Sequence, residues 1–170
     1  RKHLEGNVQT RDIIATAKAY VPQMKEEGAD LIIALCHSGI GGANAEDGME
    51  NAAIPLAGVD GIDAILTGHS HLVFPSSKYA DITGVDTEAG TIGGKPGVMG
   101  GFWGSHMGLL DLLIERDSNG WRVLSHTAEA RPISKRNEDR SYTALAEDYA
   151  PVLAAAKMEH EETLKYVRTA

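Results

Sequence analysis

Two short apolar segments that each end in histidine constrain this chain more than any other feature of its sequence. The segment DLIIALCH occupies residues 30–37, and the segment IDAILTGHSH occupies residues 62–71. Each is entered through a similar tripeptide, GAD in one case and GID in the other. Nearly continuous apolar runs of this length are typical of strands buried in a parallel sheet. We therefore expect two buried strands of one sheet.

A glycine-rich stretch and a predicted helix separate these two strands. The stretch SGIGGANAEDG has the composition of a loop. Apolar residues at helical spacing then predict a helix from about Asp47 to Ala57, weakened in its last turn by Pro55. Strand, helix and strand at this spacing form a βαβ unit, in which the strands are parallel and their carboxyl ends lie side by side. Open α/β sheets bind their ligands at that edge.

The segments around this unit complete the prediction of an α/β (α+β) fold. A first helix is expected near residues 10–27, with Thr10 as its N-cap, Gly28 just past its end, and a kink or break at Pro22. The Gly-, Ser- and Thr-rich residues 75–96 predict a long irregular surface loop.

The later part of the chain predicts strands and then a helix. From Gly97 the pattern is extended, and a turn at residues 118–120 predicts a hairpin. An apolar stripe predicts helical structure over residues 139–169, broken into two helices by Pro151.

Composition excludes several classes of function. The chain has 24 acidic and 16 basic residues, and its net charge of -8 argues against polymeric nucleic acid or membrane surfaces as partners, since both are polyanions. No apolar run is long enough to cross a bilayer. Cys36 is the single cysteine, so no disulfide forms within the chain. The chain begins with Arg1, which fits removal of a targeting segment or an internal fragment somewhat better than an intact cytosolic protein.

Three histidines are the candidate metal ligands. His37 ends the first strand, and His69 and His71 follow the second. In extended backbone, side chains two residues apart share a face, so the three imidazoles are expected to converge at one sheet edge. Imidazole nitrogen binds Zn, Mn, Fe or Ni. The alternative is that each histidine is a hydrogen-bonded structural residue.

Other residues near this edge have competing interpretations. Cys36 and His37 could form a nucleophile pair, but neighbours on a strand point to opposite faces, so we prefer a buried structural thiol. Gly39 and Gly41 could present backbone N–H groups to a phosphate, or could simply give the loop its flexibility. Asn51 is expected to cap or hold the loop near His37.

Three further side chains lie in or near the segment GFWGSHMG. His106 could contact a metal ligand or line the cleft, although a purely structural role fits equally well. Phe102 and Trp103 are expected to pack against the sheet. The remaining histidines have no partners by spacing, and we assign them no role: His3, His126 and His160.

At this point the sequence resembles the calcineurin-like metallophosphoesterases. CHSGI followed by GIDAILTGHSHLVFP is similar to the later metal-binding motifs of that family, and MENAAIPLAGVDGID, GKPGVMGGFWGSHMGLLDLLIE and HEETLKYVR resemble its nucleotidase branch. Within that branch the resemblance is to periplasmic 2′,3′-cyclic-nucleotide 2′-phosphodiesterases/3′-nucleotidases, and it covers nearly the whole chain.

The resemblance implies a four-layer αββα fold and two divalent metal ions such as Mn, Zn or Fe. His37 and His69 would bind one metal and His71 the other. Nucleotide phosphate esters would be hydrolysed by a hydroxide that the two metals activate. The family's D-x-H, G-D and G-N-H-[ED] motifs, which carry the bridging Asp and the general-acid His, do not occur here. We therefore expect the chain to be the later half of a catalytic domain, lacking its N-terminal half and inactive alone.

The resemblance also implies an organisation and a location. Residues 1–138 would be the C-terminal part of the catalytic domain, and residues 139–170 a helical linker toward an absent nucleotide-binding domain. The location would be periplasmic. Other functions on this scaffold stay open: a 5′-nucleotidase or UDP-sugar hydrolase, a thiosulfohydrolase, or a degenerate module that only binds.

Overall fold

The structure is a computed structural model that describes residues 6–118 and 120–169. It divides into two compact units, the first ending at Pro132 and the second beginning at Ile133. The helices of the first unit are α1 (Ile13–Glu26) and α2 (Ala53–Ala57). Its strands are β1 (Ile33–Leu35), β2 (Ala64–Thr67), β3 (Val73–Phe74), β4 (Val85–Asp86), β5 (Thr91–Ile92), β6 (Lys95–Gly100), β7 (His106–Asp117) and β8 (Gly120–Pro132).

Helix α1 begins later than expected. Its N-cap is Asp12, whose carboxylate accepts a hydrogen bond from the backbone N–H of Ala15 at 2.8 Å, so the assignment of Thr10 as N-cap was wrong. Pro22 does not split the helix. It lies on the exposed side, where a carbonyl that lacks its helical N–H partner can bond to water. Gly28 follows the helix with φ +101°, as predicted for the residue after a helix end.

The main sheet confirms the predicted parallel pair. Strands β1 and β2 are parallel, with Ile33 opposite Ala64, and β6 lies parallel to β2 on its other side. The full order is β1-β2-β6-β5-β4, with β3 also paired to β6. Burial of β1 was only half right, because Leu35 is 78% exposed while Ile32 and Ala34 face the core. Strand β1 ends the sheet order, and its outward face has no cover among the described residues.

Helix α2 is much shorter than the prediction. The helix expected from Asp47 occupies only five residues, Ala53–Ala57. Ala52 instead forms an antiparallel bridge with Ile40, so the chain before α2 is extended along the loop that follows β1. Glu46 and Asp47 consequently do not start a helix.

The core lies on the helix-bearing face of the sheet. Side chains with 0% exposure come from β2, β3, β5 and β6: Ile65, Phe74, Ile92 and Met99. Residues 75–96 contribute to it, since Tyr79 and Ile92 are buried and β4 and β5 extend the sheet. The prediction of a plain surface loop for this segment was therefore wrong, because short strands anchored on β6 order it.

Strands β7 and β8 form the predicted antiparallel hairpin. Its register pairs His106 with Pro132 at one end and Asp117 with Gly120 at the other, with an irregularity between Leu113 and Ile114. Of the predicted turn residues, Asn119 lies outside the described residues. Gly108 allows the hairpin to approach β6, because a Cβ there would lie only 3.1 Å from a Val98 methyl carbon.

The second unit contains a short hairpin and one helix. Strands β9 (Ser134–Arg136) and β10 (Tyr142–Ala144) are antiparallel, and α3 spans Ala150–Arg168. The helix predicted over residues 139–149 was wrong, and Pro151 lies in the first turn of α3 instead of breaking it. No helix in the described ranges is both long and apolar enough to span a membrane.

One carboxylate ties the entrance of β2 to its neighbours. Asp63 Oδ2 accepts a hydrogen bond from the Ile32 backbone N–H at 2.8 Å and lies 3.5 Å from Lys25 Nζ. It therefore joins α1, the approach to β1 and the start of β2.

We expect Asp63→Ala to lower the free energy of unfolding by about 1–3 kcal/mol, because the part-buried Ile32 N–H loses its acceptor. Asp60→Ala is the matched control, since Asp60 is exposed and should change stability by no more than about 0.5 kcal/mol. Urea denaturation of both variants measures the difference. Equal stabilities would contradict the assigned role.

Candidate active site

The carboxyl ends of β1 and β2 bring two of the three candidate histidines together. The ring centroids of His37 and His69 lie 5.3 Å apart, with the planes inclined at 70°. The two side chains reach this position from neighbouring parallel strands, as the sequence predicted. Two imidazoles at this separation can supply two ligands to a single metal ion.

The backbone around GHSH differs from the expected extended form. His69 has φ +68° and His71 has φ +57°, both in the left-handed region. The argument that alternation along a strand aligns these side chains was therefore wrong, because β2 ends at Thr67 and the following residues bend. Left-handed backbone at non-glycine residues is uncommon and is concentrated at functional positions.

His71 lies apart from the histidine pair. Its ring stacks on Phe102, with centroids 5.1 Å apart and planes inclined at 16°. Across residues 6–118 and 120–169, no three His, Cys, Asp or Glu side chains are grouped closely enough to hold a metal ion. The residues present thus fit two ligands of one metal, and the assignment of His71 to a second metal stays a prediction.

Glu50 is a neighbour of this pair that the sequence did not reveal. The Nε2–H of His69 donates a hydrogen bond to Glu50 Oε1 at 2.8 Å, since an ionised carboxylate only accepts. This tautomer leaves the lone pair on Nδ1, the nitrogen then available to a metal. Histidine ligands commonly donate their other ring N–H to a carboxylate in this way, which fixes the ring. Glu50 lay within a predicted helix, so no periodicity pointed to it.

A fully buried serine organises the backbone beneath the pair. The hydroxyl of Ser38 donates to the Glu50 carbonyl at 2.7 Å and accepts from the Ala52 N–H at 2.8 Å. Its own carbonyl accepts hydrogen bonds from the Thr67 hydroxyl and the Gly68 N–H. Ser38 therefore joins the end of β1, the end of β2 and the segment that carries Glu50.

Gly39 and Gly41 are required for close packing against Asn51. A Cβ at Gly39 would overlap Asn51 Oδ1, and a Cβ at Gly41 would overlap the Asn51 carbonyl oxygen. This contact gives the two glycines a steric reason, in place of simple loop flexibility. Asn51 Oδ1 itself is buried and has no hydrogen-bond partner in the described part of the chain. Its position supports the expectation that Asn51 holds the loop after His37.

The remaining candidates are distributed around this centre. His106 Nδ1 lies 3.0 Å from Ser105 Oγ at the start of β7. His126 Nε2 lies 2.7 Å from the Ala89 carbonyl oxygen, which fits a structural role. Trp103 is 95% exposed, so the expectation that it packs against the sheet was wrong. His3 lies outside the described residues.

The thiol of Cys36 lacks the features of an activated nucleophile. Burial raises the pKa of Cys36, and hydrogen bonds with Thr67 and the Ser38 carbonyl oppose that shift without cancelling it. A raised pKa leaves little thiolate at neutral pH, which favours the structural thiol over a Cys–His hydrolase.

We expect Gly39→Ala to lower the free energy of unfolding by about 1–3 kcal/mol, because the added methyl group overlaps Asn51. The double variant Gly39→Ala/Asn51→Ala removes the overlapping oxygen and should recover part of the loss relative to Asn51→Ala alone. Gly68→Ala is the control, since a Cβ there meets nothing within 4 Å. Additive effects in this cycle, measured by chemical denaturation, would exclude the proposed contact.

We expect iodoacetamide to alkylate Cys36 with a rate that is still rising at a pH where the rate for N-acetylcysteine has levelled off. The raised pKa moves thiolate formation to higher pH. Mass spectrometry of quenched samples over a pH series gives the profile. A midpoint below that of the free thiol would revive the nucleophile interpretation.

Comparison with known proteins gives consistent matches over almost the entire chain. No family model matches it. It is 40% identical over 98% of its length to the 2′,3′-cyclic-nucleotide 2′-phosphodiesterase/3′-nucleotidase of Salmonella typhimurium, and 41% identical over 98% to the protein of that name from Yersinia enterocolitica. It is also 40% identical over 99% to the trifunctional nucleotide phosphoesterase protein YfkN of Bacillus subtilis. The chain spans only 25% of the first two relatives and 11% of the third.

A solved structure agrees with these relatives. The crystal structure of the calcineurin-like phosphoesterase YfkN from Bacillus subtilis superposes with a TM-score of 0.84 at 40% identity, covering 98% of this chain and 48% of the other. Fold and sequence similarity thus coincide over the same residues. The chain belongs, over nearly its whole length, to the calcineurin-like phosphoesterases.

Proposed function

We propose that this chain supplies part of the active site of a metal-dependent hydrolase of nucleotide phosphate esters. The observation that carries the proposal is the pairing of His37 and His69 at 5.3 Å on the carboxyl edge of two parallel strands. The named activities of its relatives, phosphodiesterase and nucleotidase, supply the substrate class. The complete site requires ligands that the chain does not contain, and an upstream half of the domain would provide them.

The two histidines would hold one divalent cation, and His71 would contribute to a second. Bound divalent cations supply Lewis acidity and lower the pKa of a water molecule, the chemistry needed for attack on phosphorus. The net charge of -8 would otherwise disfavour a phosphate ester, so cation binding is also needed to attract the substrate.

The surrounding residues prepare the histidines for this role. Glu50 accepts the Nε2–H of His69 and so sets both the tautomer and the ring orientation. Ser38 fixes the backbone that carries Glu50 to the ends of both strands, and Phe102 holds the His71 ring by stacking. Each of these side chains acts by positioning a histidine.

The proposed substrates are 2′,3′-cyclic nucleotides and 3′-nucleotides, following the names of the two enterobacterial relatives. A periplasmic location and a linker role for residues 139–170 are further parts of the proposal, and both rest on resemblance alone. The 170-residue chain by itself is proposed to be inactive, because it lacks the bridging carboxylate.

The test uses the natural protein that contains this chain, purified with Mn²⁺. We expect hydrolysis of 2′,3′-cyclic AMP and 3′-AMP that EDTA abolishes. His37→Ala and His69→Ala should each lower kcat/KM by more than about 100-fold, since loss of even an outer partner of a metal ligand costs about 10–100-fold. The bound metal, measured by inductively coupled plasma mass spectrometry, should fall in parallel.

Two further variants and one fragment complete this test. Glu50→Gln should weaken metal affinity by about 10–100-fold, while His126→Ala, remote in sequence and bonded to Ala89, should change neither metal content nor rate. A folded protein whose activity survives both EDTA and the two histidine changes would overturn the proposal. Turnover by the isolated 170-residue chain would contradict its assigned inactivity.

A further inference from the structure

The turn between β6 and β7 places a tryptophan where local energetics do not favour one. Residues 102–105 form a β-turn closed by a 2.9 Å hydrogen bond from the Ser105 N–H to the Phe102 carbonyl. The two central residues have positive φ, +50° at Trp103 and +67° at Gly104, the pattern of a type I′ turn. Asn-Gly is the favoured pair in such turns, whereas a bulky side chain in this region is an outlier.

Burial does not compensate for this conformation. The Trp103 side chain is 95% exposed, whereas the chain's other tryptophan, Trp121, is 37% exposed and lies 5.9 Å from the Arg116 guanidinium. Neither backbone preference nor hydrophobic burial therefore explains a tryptophan at position 103. An observed outlier of this kind points to a role in binding.

A continuous series of ring contacts links Trp103 to the candidate active site. The Trp103 ring lies 5.2 Å from Phe102, and Phe102 stacks on His71 at 5.1 Å. Phe102 is itself 42% exposed. The two aromatic side chains thus form an apolar surface beside one of the proposed metal ligands.

We propose that Trp103 binds the nucleoside part of the substrate by stacking. The inference rests on the proposed function, which supplies a nucleotide whose phosphate would lie near the histidines. An indole ring offers a flat π-surface to a nucleobase or to the apolar face of a ribose, and such contacts tolerate different bases. Trp103 would set substrate affinity and take no part in the chemical step.

The test compares three esters in the natural protein that contains this chain: 3′-AMP, ribose 3-phosphate and 2-glycerophosphate. Trp103→Ala should raise the KM for 3′-AMP about tenfold with kcat unchanged, as expected for loss of one stacking partner. The KM for 2-glycerophosphate should not change, because that ester has no nucleoside. A KM for ribose 3-phosphate that stays constant assigns the contact to the base, and one that rises assigns it to the sugar.

Matched variants separate stacking from structure. Trp103→Phe should keep the KM for 3′-AMP within about threefold of the unmodified protein, because a ring remains. Trp121→Ala should leave all three KM values unchanged, since the hairpin register places Trp121 at the end opposite His106. Equal rises for all three esters, or a lowered Tm of Trp103→Ala, would show that Trp103 packs against protein and would overturn the inference.

A direct binding measurement keeps the two proposals distinguishable. In the Trp121→Phe variant, Trp103 is the remaining tryptophan of this chain, and saturable quenching of its fluorescence by 3′-AMP is expected. In a longer protein, tryptophans outside the chain are subtracted with the Trp121→Phe/Trp103→Phe variant. Absence of Trp103 quenching overturns the stacking role. Nucleotide hydrolysis that Trp103→Ala does not alter does so while leaving the proposed function intact, and failure to hydrolyse any ester refutes the proposed function alone.

Discussion

The buried hydroxyl of Ser38 is the interaction on which the rest of the candidate site depends. It is satisfied as donor and as acceptor by backbone groups of residues 50 and 52, and its carbonyl is bound by two groups at the end of β2. A buried polar group costs free energy unless it is paired, so this network admits one arrangement of the two strand ends and the intervening loop. The distance between His37 and His69 follows from that arrangement.

The sequence predicted the parts of the fold that depend on hydrophobic pattern. Two apolar runs of strand length became the parallel pair β1 and β2, and the extended runs after Gly97 became the β7–β8 hairpin. Because parallel strands must end at a common edge, the approach of His37 and His69 could also be predicted. These inferences needed only the period of the apolar residues and the topology of a βαβ unit.

The features that the sequence did not predict depend on particular tertiary contacts. The hydrogen bond between Glu50 and His69 requires the segment before α2 to be extended, whereas its composition favoured a helix. The contact of Asn51 with Gly39 is a matter of steric fit between segments, for which residue types give no signal. Trp103 was expected to be buried because tryptophan usually is, and its exposure reflects a turn whose geometry holds the ring outward.

The left-handed backbone at His69 and His71 also limits how this motif can change during evolution. Asparagine tolerates that region better than any residue except glycine, while β-branched residues are strongly disfavoured there. A lineage that abandoned hydrolysis could therefore replace either imidazole with asparagine or glycine and keep the same bend after β2. Drift of G-H-S-H toward G-N-S-N or G-G-S-G, with the apolar strand before it intact, would mark descendants that retain the scaffold for another purpose.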